Sequence, residues 1–436
     1  MLLYTTYQTP RLQYVIGFIS EELFDEPLET TTRKEAFLLK DGFRLNYSET
    51  EFSEDEFYLR PVSLLFENDI RPRTIDCFEL NYHKVFFETA GDLPFDIFAA
   101  CFYLLSRYEE YLPHAKDEYG RFSHTASLAF REGFLHMPLV NIWLQEFRKA
   151  LQKKFPAMAF RHRSFKFIPT YDIDMAYSFL HKGWKRNLGG LLGSVLKGKW
   201  TAASQRIQVL RGRKKDPFDA YEWLDSLHLY CRMKACYFFL VAAGKSRYDK
   251  NIDPEKKVMT DLIRYHAAGY RVGVHPSWQS GDDPALLSAE IARMAGLTGN
   301  KILMSRQHYI RFDLPDTYRR LLSSGIEQDF SMGYGTINGF RASVASSFYW
   351  YDLEKEEQTS LRLFPFCFMD ANAYYEQKYT HVQAMIELMQ YYHAIKKVNG
   401  LMVTIWHNSF LGSDPAFDDW KKLYEIFLKE EVYWDV

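Results

Sequence analysis

Two aspartates, two residues apart, are the residues of this chain best placed to carry chemistry. Asp172 and Asp174 follow the apolar segment 165–171, whose pattern predicts a buried strand. Successive side chains of a strand alternate faces, so both carboxylates would point the same way if the backbone stays extended. Two like charges on one face repel unless a cation or an arginine lies between them. The pair therefore indicates a cation site.

Two histidines end apolar segments of the same kind. His275 closes the segment 270–275, and His407 closes the segment 401–407. Imidazole is both a common metal ligand and a proton carrier near neutral pH. Taken singly, such a histidine or a helix-capping aspartate has an ordinary structural explanation. Two carboxylates and two imidazoles, each at a predicted strand end, together predict a hydrolytic metal site.

The segments around these residues alternate between strand and helix patterns from residue 165 onward. This alternation predicts an α/β fold with a parallel sheet and crossover helices, open or closed into a barrel. Functional residues in such folds gather at the carboxyl ends of the strands, where the four residues above fall. Strands are predicted at 165–173, 235–242, 270–275, 301–311, 326–330, 361–368 and 401–407, and helices at 217–233, 254–268, 284–295, 315–324, 377–397 and 416–429.

The length of 436 residues exceeds one ordinary hydrophobic core, so two domains are expected. We predict an N-terminal α+β domain over 1–158, with helices near 95–112 and 138–154. The second domain would cover 159–436. The net charge of −2 argues against a protein built as a whole to bind nucleic acid.

The cysteines and the N-terminus bear on the compartment. There are five cysteines and no CxxC pair, which argues against a disulfide framework and against a structural zinc site. The first residues lack the features of a signal peptide, and no apolar run is long enough to cross a bilayer. These observations favour the cytoplasm.

The segment 181–215 departs from the rest of the pattern. It carries ten lysines and arginines and no acidic residue, interleaved with tryptophan and leucine. One interpretation is an inserted helical hairpin with a solvated basic face. The other is a basic amphipathic lid that contacts an anionic membrane surface, or a lipid-linked or acidic glycan.

Five short segments, in order along the chain, carry a resemblance to a known family. They are Thr170-Tyr171-Asp172-Ile173-Asp174, His275-Pro276-Ser277-Trp278-Gln279, Arg306-Gln307-His308-Tyr309, the acidic strand in 321–330, and Ile405-Trp406-His407. Their order over about 165–436 resembles the polysaccharide deacetylases of the NodB-homology type, carbohydrate esterase family 4. The chain also resembles a divergent bacterial branch of that family with an N-terminal domain of unknown function.

The resemblance implies a distorted (β/α)7 barrel that removes N-acetyl, sometimes O-acetyl, groups from sugars with a divalent metal, usually zinc. It implies that Asp172 is the general base, kept ionised by Arg306. His407 would be the general acid that protonates the leaving amine. Asp329 is expected to orient His407, with Asp370 an equal candidate for that role.

The resemblance also implies the metal ligands, with two departures from the family pattern. The adjacent Asp-Asp of the family is Asp-Ile-Asp here, so Asp174 would be the metal carboxylate beside His275. The second histidine of the family's H-x-x-x-H is replaced by Gln279, and an amide is a poor zinc ligand beside imidazole. We expect His308 to supply the third ligand.

Three further residues are candidates for contact with substrate: Trp278, Tyr309 and Arg341. For the segment 339–342 around Arg341, an ordinary loop is slightly favoured over a substrate-binding wall. The functional prediction is a metal-dependent deacetylase acting on a polysaccharide or on a lipid-linked or nucleotide-linked precursor. The alternative, suggested by Gln279, is a non-catalytic carbohydrate-binding protein that retains the barrel. A glycosidase using Asp172 and Asp174 is less favoured, because a spacing of two residues suits two carboxylates flanking one bond poorly.

Overall fold

The computed structural model describes residues 1–435. Its N-terminal part builds a four-stranded parallel sheet in the order β2-β1-β3-β4 and a separate β5–β6 hairpin. The strands are β1 Leu2–Thr5, β2 Glu29–Thr31, β3 Arg44–Tyr47, β4 Phe57–Leu59, β5 Cys77–Leu80 and β6 His83–Phe86. The helices are α1 Pro10–Leu23, α2 Lys34–Leu38, α3 Ile97–Leu105, α4 Leu128–Arg131 and α5 Leu139–Lys154.

The two helices predicted in this part are present, with one end displaced. The helix expected over 95–112 stops at Leu105, and a short 3-10 turn, Tyr108–Tyr111, follows it. Arg107, between them, has a φ of 54°, a left-handed conformation that an α-helix cannot accommodate. The helix expected over 138–154 is α5, which begins directly after Pro138.

The second part is built on a nine-stranded sheet in the order β12-β13-β11-β10-β9-β8-β7-β15-β14. All neighbours are parallel except β12 and β13. The strands are β7 Lys166–Ile173, β8 Cys236–Leu240, β9 Arg271–His275, β10 Met304–Ser305, β11 Gln328–Asp329, β12 Phe348–Asp352, β13 Glu357–Leu363, β14 Phe368–Met369 and β15 Leu401–His407. The helices are α6 Trp184–Leu196, α7 Trp200–Leu210, α8 Tyr221–Cys231, α9 Lys257–Gly269, α10 Pro284–Thr298, α11 Asp316–Ser323, α12 His381–Lys397, α13 Asn408–Leu411 and α14 Asp418–Ile426.

The predicted α/β architecture is confirmed, but no pairing among residues 1–435 joins β14 to β12 or β13 and closes the sheet into a barrel. The strand predicted at 301–311 is only two residues long, Met304–Ser305, and the end of the predicted range is a 3-10 turn in which Tyr309 and Ile310 have positive φ angles. The single strand predicted at 361–368 is two strands, β13 and β14, that lie at opposite sides of the sheet order. Strand β12 was not predicted.

The hydrophobic core runs without interruption between the two parts of the chain. Helix α1 lies against β13 and contributes the buried Arg11, whose guanidinium pairs with Glu356. From the same helix, the Tyr14 hydroxyl donates to the Tyr349 carbonyl of β12 at 2.8 Å. The N-terminal part therefore covers the end of the large sheet that carries the β12–β13 hairpin.

The segment 181–215 forms the expected helical hairpin, made of α6 and α7. None of the helices in the described residues is long and apolar enough to cross a bilayer.

Candidate metal centre and catalytic cleft

The parallel strands bring the predicted site residues to one edge of the large sheet. Strands β7 and β15 are neighbours, and their register places Asp172 directly opposite His407. On the other side of β7, strand β8 pairs with β9 so that Leu240 lies opposite His275. The carboxyl ends of these strands therefore meet, as the sequence predicted from strand ends alone.

Asp174 is the point at which three imidazoles converge. Its Oδ1 lies 3.2 Å from Nε2 of His275. Its Oδ2 lies 3.5 Å from Nε2 of His308 and 3.7 Å from Nε2 of His407. The same nitrogen of each ring, Nε2, faces the carboxylate.

The other ring nitrogen of the first two histidines is already engaged. Nδ1 of His275 donates to the carbonyl oxygen of Arg306 at 2.5 Å. Nδ1 of His308 donates to Oδ1 of Asp249 at 3.0 Å. Because carbonyl and carboxylate oxygens only accept, both protons are fixed on Nδ1 and a neutral ring then presents an Nε2 lone pair to Asp174. Fixing a tautomer in this way is the ordinary support of a metal-binding histidine.

These atoms fit a metal ion. Oδ1 of Asp174 is buried and has no hydrogen-bond partner among the described residues. Ligand atoms of Asp174, His275 and His308 all lie within 4.8 Å of one another. Bonds of 2.0–2.2 Å in a tetrahedral zinc site place ligand atoms about 3.4 Å apart. Nε2 of His275 is 3.2 Å from Oδ1 of Asp174 and Nε2 of His308 is 3.5 Å from Oδ2, so each ring lies at about that distance from one carboxylate oxygen.

The candidate metal ligands do not include Gln279, the residue at the position of the second histidine in the H-x-x-x-H motif. Gln279 begins a 3-10 turn and is exposed. His308 is instead buried, one strand further along the sheet, in the short turn His308–Ile310 after β10. The third ligand of the candidate set, after Asp174 and His275, thus comes from the neighbouring strand end.

The third histidine, His407, is oriented by a different aspartate from the one first named. Nδ1 of His407 donates to Oδ1 of Asp370 at 2.6 Å, and its backbone N–H donates to Oδ2 at 2.7 Å. The expectation for Asp329 is corrected: that buried carboxylate accepts hydrogen bonds from Ser305 and Ser331. Asp370, the equal candidate, directly follows β14, which lies beside β15.

Mutual electrostatics tune the pKa values of this cluster. Burial alone would raise the pKa of Asp174, but the surrounding imidazoles, His308 first, hold it well below its ordinary value. Burial opposes protonation of His308, yet the carboxylates of Asp174 and Asp249 raise its pKa to about 9. The same balance, dominated by Asp370, raises the pKa of His407 to about 10. Without a metal, protons on the imidazoles would fill the place of a cation.

Asp172 has a separate set of contacts. Its Oδ1 accepts a hydrogen bond from Arg306 at 2.8 Å, while its Oδ2 lies 3.8 Å from Nε2 of His275. The guanidinium of Arg306 is fully buried and lies 4.5 Å from the centre of the Phe238 ring. That ring reaches this position because Gly273 has no side chain; a Cβ there would come within 2.6 Å of it.

A cleft of about 440 Å³ opens over the cluster. Tyr309 forms part of its wall and is 37% exposed. Trp278 does not line the cleft; it stacks on Tyr248 with ring centres 4.0 Å apart, next to Tyr309. The other lining residues include Asp172, Asp174, Met175, His275, Gln307, His308, Met369, Asn372, Tyr375, Glu376, His407, Asn408 and Phe410.

Arg341 is not a substrate contact, and this expectation is corrected. It is buried, and its guanidinium donates to both carboxylate oxygens of Glu110 at 2.9 and 2.6 Å. Glu110 is also paired with Arg107. A partner 231 positions away in the sequence holds Arg341 in a structural ion-pair network.

Three residues at the candidate site were not predicted from the sequence: Asp249, Tyr119 and Arg121. Asp249 lies in the polar loop after β8, and its place after a predicted strand was the only signal that could have marked it. Tyr119 and Arg121 come from the N-terminal part and line the cleft. Arg121 pairs with Asp117 and donates from Nη1 to the Tyr309 carbonyl, while its Nη2 has no partner among the described residues.

Comparison with known proteins finds a family model that matches residues 1–156 and solved structures that are remotely similar to the chain. Residues 1–156 match DUF7033, a family of unknown function. No protein of established description matches the chain by sequence.

Three solved structures each match 62% of the chain, at 11–12% identity. A protein from Mycobacterium smegmatis assigned as a polysaccharide deacetylase has a TM-score of 0.39 over 86% of its length. The polysaccharide deacetylase Bc1974 from Bacillus cereus has a TM-score of 0.30 over 89%. The Puue allantoinase has a TM-score of 0.37 over 85%.

Proposed function

We propose that the protein is a metal-dependent deacetylase that removes N-acetyl or O-acetyl groups from a glycan or a glycan precursor. The observation that carries this proposal is the convergence of the Nε2 atoms of His275, His308 and His407 on the carboxylate of Asp174. As part of the proposal, the open sheet is a distorted NodB-type barrel, and 1–158 and 159–436 are separate domains.

Asp174, His275 and His308 would hold the metal, and His407 would remain free for proton transfer. A divalent metal at such a site lowers the pKa of water and polarises the acetyl carbonyl. The donor set of two neutral imidazoles and one carboxylate suits zinc and several other divalent transition metals.

Asp172 is suited to be the general base. Its Oδ1 is occupied by Arg306, whereas its Oδ2 faces the ligand set, 3.8 Å from Nε2 of His275. A carboxylate anchored through one oxygen and open through the other can accept a proton from an attacking water at that side.

His407 is suited to be the general acid. Asp370 fixes its Nδ1 proton and raises its pKa, so the Nε2 side can carry a second proton at neutral pH. Nε2 points into the cleft at Asp174, which places the donor beside the metal ligands. Expulsion of an amine from a tetrahedral intermediate requires a proton on the leaving nitrogen, and His407 would supply it.

The cleft also has the character of a site for a polar ligand with apolar faces. Nε2 of Gln307 and Nη2 of Arg121 are buried, line the cleft and have no partner among residues 1–435. The rings of Tyr119 and Tyr309 lie beside them, with centres 5.6 Å apart. Sugars combine hydroxyls that need such donors with C–H faces that pack on aromatic rings.

The alternatives are less well supported by the same geometry. A non-catalytic carbohydrate-binding protein was suggested by Gln279, but His308 would supply the third ligand in its place. A glycosidase would need two carboxylates free to flank a glycosidic bond. Here Asp172 is bound to Arg306, and Asp174 is enclosed by three histidines.

The test is release of acetate from acetylated glycans, such as N-acetylated chitooligosaccharides and O-acetylated xylan, by the zinc-loaded protein. We expect Asp172→Asn to lose at least about 100-fold in kcat while it retains its metal, the usual range for a general base. Asp282→Asn, which changes an exposed carboxylate paired with Arg311, is the control and should keep full activity. Acetate release that is equal in wild type and Asp172→Asn would contradict the proposal.

A further inference from the structure

The helical hairpin 181–215 exposes a continuous apolar row. Trp184, Leu188, Leu192 and Leu196 follow one another at intervals of four along α6, and Trp200 begins α7. A spacing of four keeps side chains on one side of a helix. All five are exposed, from 47% at Leu188 to 86% at Leu196. An amphipathic helix in a folded protein ordinarily buries its apolar side. The exposed row therefore indicates a surface that contacts an apolar environment outside the protein.

The charge around the row is of one sign. The segment holds ten lysines and arginines without an acid in a chain of net charge −2, so the rest of the chain carries −12. Six of these cations are exposed and form no ion pair with any described residue: Lys185, Lys197, Lys199, Arg211, Arg213 and Lys214. A binding partner that matches the hairpin must therefore offer both an apolar region and negative charges.

The inner side of the hairpin is held to the rest of the protein by side-chain contacts. The exposure of the apolar row is therefore not the result of an unattached segment. Arg206 donates to the side chain of Asn187 at 3.1 Å, and Asn187 donates to the Phe179 carbonyl at 2.9 Å. The guanidinium of Arg206 also lies 4.4 Å from the centre of the Phe179 ring. These contacts hold α6 and α7 against the body of the protein and leave the row outward.

We propose that the hairpin 181–215 binds the surface of an anionic lipid bilayer, with the row from Trp184 to Trp200 in the interfacial region and the cations at the headgroups. Basic amphipathic helices bind membranes in this way, and tryptophan favours the boundary between headgroup and acyl chain. A nucleic acid would use the cations but not the leucines. A second copy of the chain would bring an equally positive surface against the first.

The hairpin lies beside the candidate metal centre. It follows β7 in the chain, and β7 ends at Ile173, between Asp172 and Asp174. Its base is tied to the loop that carries Asp249, through Arg186 donating to the Lys250 carbonyl at 3.0 Å and Lys256 donating to the His181 carbonyl at 2.6 Å. Binding would therefore hold the cleft near the bilayer. A lipid-linked glycan as substrate follows only if the proposed deacetylase function is also correct.

The test is co-sedimentation of the full chain with vesicles of phosphatidylcholine alone and of phosphatidylcholine with 30 mol% phosphatidylglycerol, roughly the anionic content that produces electrostatic attraction. We expect binding to the anionic vesicles only, weakened as salt rises from about 0.05 to 0.5 M. Leu188→Gln/Leu192→Gln/Leu196→Gln and Lys197→Gln/Lys199→Gln/Arg213→Gln should each lower the partition coefficient about tenfold or more.

The control variants change other exposed residues of the same kind: Leu39→Gln/Tyr82→Gln/Leu229→Gln for the apolar variant, and Lys40→Gln/Lys153→Gln/Lys234→Gln for the charge variant. Both should bind as wild type does. The proposal is overturned if wild type does not sediment with anionic vesicles, or if it binds neutral vesicles equally well. It is also overturned if either hairpin variant binds like its control, or if the leucine variant abolishes a dimer seen by light scattering. Zinc binding, measured in the same samples, reports separately on the metal centre.

Discussion

Replacement of Asp249 by asparagine should weaken metal binding without unfolding the protein. The Asp249 carboxylate accepts through Oδ1 from Nδ1 of His308 and from the Trp278 N–H, both at 3.0 Å. An asparagine keeps an oxygen at this position, so both hydrogen bonds survive. Its amide nitrogen replaces Oδ2, which accepts a hydrogen bond from the Ser246 hydroxyl at 2.7 Å. The substitution therefore removes one negative charge and one hydrogen bond.

The size of the effect follows from the role of the lost charge. Asp249 does not face the ion; it fixes the tautomer of His308 and makes that ring more basic. Loss of such a partner typically costs about 10- to 100-fold in metal affinity. This corresponds to about 1.4 to 2.8 kcal/mol. Because the tautomer is still fixed by the asparagine oxygen, we expect a value near the lower end, about tenfold.

The assay is competition with a chromophoric zinc chelator at pH 7, with wild type, Asp249→Asn and Ser246→Ala measured side by side. Ser246→Ala removes the hydroxyl that binds Oδ2 but keeps the carboxylate, so its affinity should stay within about threefold of wild type. Affinity of Asp249→Asn equal to that of wild type would refute the assignment of His308 as a ligand supported by Asp249. If both variants lost zinc affinity equally, the cause would be a changed conformation of the loop and not the lost charge of Asp249.

Three other substitutions test the remaining contacts. Asp370→Asn should lower the pKa of His407 from about 10 in metal-free protein, because burial lowers it and the charge of Asp370 is the largest effect that raises it. An NMR titration that stays near 10 would contradict this. Arg306→Met leaves the buried carboxylate of Asp172 without its partner, so urea unfolding at pH 7 should show a loss of about 3–5 kcal/mol, and a loss under 1 kcal/mol would be inconsistent with the pair. Burial raises the pKa of Glu110, but its two arginine partners lower that pKa more strongly, from 4.5 to about 2. The contribution of the ionised Glu110 to the free energy of unfolding is therefore complete above pH 4.5, and it disappears as the pH falls toward 2. The stability difference between wild type and Glu110→Gln should therefore be largest at neutral pH and smallest near pH 2, and a difference independent of pH would refute the linkage.

The large sheet could be predicted where strands are long and apolar. β7, β9 and β15 were located to within one residue, because each is a buried strand bounded by turn residues. β10 and β11 lie within the strands predicted at 301–311 and 326–330, but each is only two residues long, so their bounds were not predicted. β12 lies in an antiparallel hairpin that the alternation of strand and helix did not suggest. The individual strands of the four-stranded N-terminal sheet were not predicted either, because each has only three or four residues.

The candidate site was predictable to the extent that its residues end strands. Asp174, His275 and His407 were found in this way, and His308 was found from its distance to Arg306 along the chain. The orienting carboxylates were harder, because Asp249 and Asp370 act through hydrogen bonds to residues 59 and 37 positions away. No local pattern encodes such a pairing.

The same limit explains the error at Arg341, which was named as a candidate substrate contact within the segment 339–342. Its partner Glu110 comes from the N-terminal part, across a contact that only the folded chain creates. The cleft residues Tyr119 and Arg121 were missed for this reason too, since they join the site from a segment without any catalytic signature.

The most direct test of the proposed metal centre is the metal content and affinity of the purified chain. After loading with zinc and removal of the excess, elemental analysis should give one ion per chain for wild type. Asp174→Ala and His308→Ala should each retain less than about a tenth of it, since two ligands hold the ion poorly. Gln279→Ala, at the exposed position, should retain it fully. Wild type without bound zinc, or His308→Ala with as much zinc as wild type, would contradict the account.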